Sequence, residues 1–199
     1  MHHSVKRSPL WALGLFFVTF SAQAHTGHTA YSWMEGILHP FGADHLLAMV
    51  AVGIWSASSL SHRQIWRGPA GFMLTLLAGA WVGSHGITAP LLELAVALSV
   101  VLFGALLWAS RSAHRHIQSG WLLLLVAGCL HGLAHGSETP NAGFTAYAFG
   151  FLFTTTWLHM FGIAVGSLIK RWALHTQTRV LQGLGSGMGL VGLYLLTQA

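Results

Sequence analysis

Imidazole and carboxylate side chains at close spacing are where this chain could do chemistry, and two stretches concentrate them. The first is His39-Pro40-Phe41-Gly42-Ala43-Asp44-His45. A regular helix would spread His39, Asp44 and His45 around its circumference, about 120° apart. His39 precedes Pro40, however, so it can lie ahead of the helix proper and fold back, with Gly42 permitting close backbone approach. The set then offers two imidazoles and a carboxylate near one point. Such ligands bind first-row divalent metals, and a nitrogen-rich set suits nickel, cobalt, copper or zinc better than calcium or magnesium. The competing reading is a polar network at a helix N-terminus, where the dipole favours Asp44.

The second stretch is Leu130-His131-Gly132-Leu133-Ala134-His135-Gly136-Ser137-Glu138. Here spacings of four and three put His131, His135 and Glu138 within about 60° on one helical face. A polar stripe in an apolar run is expensive unless it faces a cavity or a partner. Interfacial anchoring or a hydrogen-bonded helix contact is the alternative. Three single residues join the candidates: His85 beside Gly86, Glu93 at the start of an apolar run, and His159 deep within one. Glu93 could instead serve a helix dipole, and His85 could hydrogen-bond a neighbouring helix. His159 is positioned for a later step on a translocation path.

The elements that must hold these residues are membrane helices. The chain of 199 residues is 54% hydrophobic and 7% charged, against roughly 25% charged in soluble domains. The net charge of +5 does not point to nucleic acid, because the basic residues fall in isolated pairs with no basic, aromatic-interleaved stripe. The lone Cys129 excludes an intrachain disulfide. At the N-terminus, Lys6 and Arg7 precede an apolar stretch from Leu10 to Phe20, followed by Ala22-Gln23-Ala24. This pattern predicts a signal peptide over residues 1–24, cleaved after Ala24, leaving a mature domain over 25–199. Cleavage would expose His25 as the new N-terminus, with His28 close by as a weak N-terminal chelate.

Beyond the signal, apolar runs extend from about Pro40 to Leu60, Pro69 to Thr88, Pro90 to Ser110, Trp121 to Ser137, Phe144 to Ile169 and Val180 to Leu196. Each is about long enough to cross, which predicts an all-α polytopic bundle of about six transmembrane helices. Arg63 and Arg67 follow the first run, Arg111 and Arg115 the third, and Lys170, Arg171 and Arg179 lie between the fifth and sixth. Basic residues in alternate loops place those loops in the cytoplasm of a bacterial inner-membrane protein, with both mature termini periplasmic. The only four acids, Glu35, Asp44, Glu93 and Glu138, then all fall at periplasmic helix ends. Positive-inside topology does not require that, and a cation site on the outer side does account for it.

At these residues the chain resembles the HupE/UreJ family of nickel and cobalt permeases. The resemblance runs from His39 through most of the chain, on HPFGADHLLAMVAVGIWSA at 39–57, Pro69 through Phe72 and Met73 into LLAGA, LLELAVALSV around Glu93, and LHGLAHGSE at 130–138. It implies Ni2+ as transported substrate, or Co2+ in some members, destined for metalloenzymes such as hydrogenase or urease. It also implies roles for His39, Asp44 and His45 in the first span, Phe72 in the second, Glu93 in the third, and His135 with Glu138 in the fourth. His131 and His85 are added by position. One departure is visible: HPFGADH is a residue shorter than the family's common HPxxGxDH.

The expected function is import of a divalent cation, with the metal ion and the lipid bilayer as partners and room for a homo-oligomer. No ATP-binding motif is present. An enzyme is not expected: one His-x3-His pair resembles a single histidine box of membrane di-iron desaturases, which need several, and neither HExxH nor GxSxG occurs. A haem carrier would use histidines on separate helices but has no need of the carboxylates. A metal-binding sensor or accessory protein without transport is the rival to a permease.

Overall fold

The computed structural model describes residues 33–110, 117–138, 144–173 and 175–199. The expected signal peptide, His25 and His28, and the Arg111 and Arg115 loop lie outside the described residues. Among the described residues all regular structure is helical: α1 (Trp33–Leu38), a 3-10 turn (His39–Phe41), α2 (Ala43–Ser59), α3 (Arg67–Ser84), α4 (Leu92–Ala109), α5 (Ile117–Glu138), α6 (Phe144–Trp172) and α7 (Gln177–Leu196).

Each of the six apolar runs becomes one helix, and the boundaries move where local chemistry dictates. The second run stops at Ser84, short of the expected Thr88, because Gly86 adopts φ +80° just past the helix end, the usual glycine stop. The third starts at Leu92 because Leu91 holds a left-handed φ of 60° ahead of it. Three helices, Leu92–Ala109, Ile117–Ser137 and Phe144–Trp172, are long and apolar enough to cross a membrane alone. Trp33–Phe41 and Ala43–Ser59 make a fourth candidate together, bent by 75°. In α3 and α7, repeated glycine dilutes the apolar character. The chain is a multi-pass helical membrane protein.

Lipid gives helices no hydrophobic reason to associate, so close van der Waals packing at small residues must do it. Gly53 on α2 lies against α6 so closely that an added Cβ would stand 2.7 Å from the Ile163 amide nitrogen. Gly162 meets Val50 and Gly166 meets Ile54 and Ala57, so α2 and α6 run parallel. Gly71 meets Trp121, Gly79 meets Cys129 and Gly83 meets Ser137, which makes α3 and α5 parallel too. Gly104 meets Gly185 while Gly192 meets Val101, so α4 and α7 are antiparallel.

Between these pairs lies a core of Met49, Trp55, Phe72, Leu76, Phe103, Leu107 and Leu124, each almost wholly buried. The outer surface is apolar as well. On α6, Phe149, Phe153, Trp157 and Phe161 recur every four residues and are exposed, whereas Tyr147, Phe151, Thr155, His159 and Gly162 point inward. One aromatic ridge, Phe149, Phe153, Trp157 and Phe161, thus faces outward while Thr155 and His159 face inward, as a lipid solvent demands.

Candidate metal centre

Three local features bring His39 over the start of α2. Pro40 sets the first turn of the 3-10 segment, and the Gly42 amide closes that turn onto the His39 carbonyl at 3.0 Å. Gly42 is extended, with φ −53° and ψ 140°, and its own carbonyl accepts the Leu46 amide at 2.9 Å to begin α2. The segment before the bend is tied to α6 by the Thr154 hydroxyl, which donates to the Ile37 carbonyl at 2.9 Å. Folding back at this proline and glycine achieves what a straight helix could not.

His39 thereby meets His45 in the first turn of α2 and His135 in the last turn of α5. One ring nitrogen from each of the three lies within 4.8 Å of the others. Ring centroids are 4.4 Å apart for His45 and His135, 4.5 Å for His39 and His135, and 5.4 Å for His39 and His45. The Nε2 atoms of His45 and His135 face each other in contact. His45 and His135 are buried and His39 half-buried, so the group is approached from the His39 side. Tyr147 and Phe151 of α6 wall it, with the Phe151 ring 4.6 Å from that of His135.

Asp44 occupies a different place from the one expected of a ligand. Its Oδ1 accepts the Nδ1–H of His45 at 2.8 Å and the His45 amide at 2.9 Å. That contact fixes the proton on Nδ1 and turns the lone pair of Nε2 toward the other imidazoles. A carboxylate behind a ligating histidine raises the basicity of the ring and fixes its orientation. His131, one turn before His135, packs its ring 4.7 Å from His45 and shares a 3.0 Å hydrogen bond between Nε2 and the buried Ser99 hydroxyl. Phe72 lies against the rings of both His131, at 5.8 Å, and His159, at 5.4 Å.

Among the described side chains, His85 and Glu93 do not join this group. His85 is exposed, with Nδ1 donating to the Trp81 carbonyl at 2.7 Å and its ring on the Trp81 ring. Glu93 is exposed in the first turn of α4. Glu138 is the last residue of α5. Sequence reasoning missed Ser99, Thr154, Thr155, Tyr147 and Phe151. A hydroxyl within a strongly apolar run was the available signal for Ser99, and the Thr154-Thr155-Thr156 triplet was another.

Three imidazoles converging on one point can ligate a borderline divalent cation and leave coordination positions for water, an arrangement that suits nickel, cobalt, copper or zinc. The HupE / UreJ protein family matches residues 13–195. Protein HupE of Rhizobium leguminosarum bv. viciae is 36% identical over 177 residues, covering 88% of this chain and 90% of that protein. No solved structure matches the chain.

Proposed function

Because the chain belongs to the HupE/UreJ family, we propose that it is an inner-membrane permease importing divalent nickel, or cobalt, from the periplasm. The observation that carries this reading is the convergence of His39, His45 and His135 from two separate helices and the bend that precedes one of them. Asp44 orients His45 for that role. Glu93, Glu138 and His85 belong to the collecting surface around the mouth, where negative charge raises the local concentration of a cation. His131 and Phe72 form the next layer inward, and His159 lies beyond them on the path.

Several features support the topology of six crossings with periplasmic termini. Helices one and five of such a chain must run parallel, as must two and four, whereas three and six must oppose each other. The glycine contacts of α2 with α6, α3 with α5 and α4 with α7 follow that scheme. Loop charge gives the same sidedness, and a signal peptide over residues 1–24 agrees with it. A membrane potential would favour inward movement by about 2.3 kcal/mol per elementary charge per 100 mV.

The test is 63Ni2+ uptake by cells lacking their own nickel importers, with and without the protein at matched expression, using Co2+, Zn2+ and Mn2+ as competitors. The expected result is accumulation blocked most strongly by Co2+ among the three. A correctly inserted protein that produces no accumulation would overturn import in favour of metal binding or sensing.

A further inference from the structure

His159, like His131, is a deeply buried imidazole with one ring nitrogen hydrogen-bonded and the other without a partner among the described residues. It projects from α6 into the core at 1% exposure, eight residues beyond Phe151 and so about 12 Å farther along the helix axis. Its Nδ1–H donates to the Thr155 carbonyl at 2.7 Å, which leaves the lone pair on Nε2. That Nε2 and the Thr155 hydroxyl are both buried and have no hydrogen-bond partner among the described residues. Leaving such groups unbonded costs about 1–3 kcal/mol each, and leucine or valine would fill the same space at no such cost. Spacing of four on one helix puts the two side chains on a common face. Phe72 is the aromatic residue against which both this imidazole and that of His131 pack.

We propose that His159 Nε2 and Thr155 Oγ1 form a second, transient site for the imported divalent cation, with the Phe72 ring as the movable divider between it and the three-imidazole group. This rests on the import reading. One nitrogen and one oxygen ligand hold a partly hydrated cation weakly, which is what an onward position needs: conduction requires binding strong enough to enter and weak enough to leave. The three-imidazole group captures the ion and selects among metals. The His159 position receives it once Phe72 rotates aside, and the ring then blocks return.

The experiment pairs initial 63Ni2+ uptake rates in cells with calorimetric Ni2+ binding by the full chain in lipid nanodiscs, for the wild type, His159→Leu and Thr155→Val. His159→Leu should insert normally and bind Ni2+ with unchanged affinity. Its maximal uptake rate should fall by about tenfold or more at an unchanged half-saturating concentration, and that of Thr155→Val by about threefold, the pattern of a lost later step. Uptake by His159→Leu at the wild-type rate would overturn the second site and leave the import reading standing. Loss of Ni2+ binding together with uptake would equally overturn it, by making His159 a support of the outer group. If His159→Leu fails to insert, the near-isosteric Thr155→Val decides, and wild-type uptake there rejects the site. Absence of uptake by the wild type would overturn the import reading and this inference with it.

Discussion

The same helices are built in opposite ways at their two ends. α2 begins with Asp44 and His45 and continues to Trp55, which is 1% exposed and meets Trp121 edge to face at 5.8 Å. α5 begins near Trp121 and the fully buried Leu124 and ends with His131 and His135. One half of the bundle gathers imidazoles whose nitrogens face one another, and the other half is filled by indole and aliphatic side chains. Past the tryptophan pair lies a cavity of about 410 Å³ lined by Ser59, Leu60, Ser61, Gln64, Arg67, Ile117 and Trp121. The imidazole group and the apolar packing are therefore made by different residues on shared helices, and each can be disturbed separately.

The largest expected effect comes from removing a member of the imidazole group. His135→Ala should lower 63Ni2+ uptake by more than about 100-fold and abolish tight Ni2+ binding in nanodiscs, since it deletes one of three ligands and its loss exceeds the 10–100-fold typical of a partner behind the ligand. Near-normal uptake would dissolve the contrast. Trp55→Ala should do the reverse, lowering stability by about 3–5 kcal/mol, read as a drop in melting temperature, while Ni2+ affinity stays unchanged. Asp44→Asn sharpens the picture within the polar half: by loosening the orientation of His45 it should weaken Ni2+ binding by about tenfold, with uptake falling in proportion. A total loss would instead make Asp44 a direct ligand. His85→Ala should change uptake by less than about twofold, as expected of an exposed surface substitution.

Much of this architecture was legible in the residues. Apolar runs of adequate length locate the six long helices, and Pro40 with Gly42 signals the bend that carries His39 back toward His45. The pairing of helices was not legible, because it depends on which glycines face which backbone, and a glycine in an apolar run looks the same whether it faces lipid or a neighbour. That is why His135, found by its spacing, could be assigned to the same side of the membrane as His45 but not to direct contact with it. The place of Asp44 behind His45, rather than beside it, rests on its two contacts with the His45 ring and amide. Such choices are made by packing and leave no periodic trace. The partner of Ser99 was hidden for a related reason: one hydroxyl among alanine, leucine and valine stands out, but its role appears only when the His131 imidazole from α5 arrives beside it.

The separation of His45 and His135 by 90 residues sets a schedule for biogenesis. At about 5–20 residues per second of synthesis, the first span waits roughly 5–18 seconds for the histidine that completes its group. Its face around Gly53 finds α6 later still. During that interval α2 must reside in the bilayer with a charged Asp44 near one end and its packing face unmatched, so the bundle cannot assemble in strict order of emergence. Assembly therefore has to proceed by lateral rearrangement of inserted helices, and the imidazole group cannot form before α5 has been made.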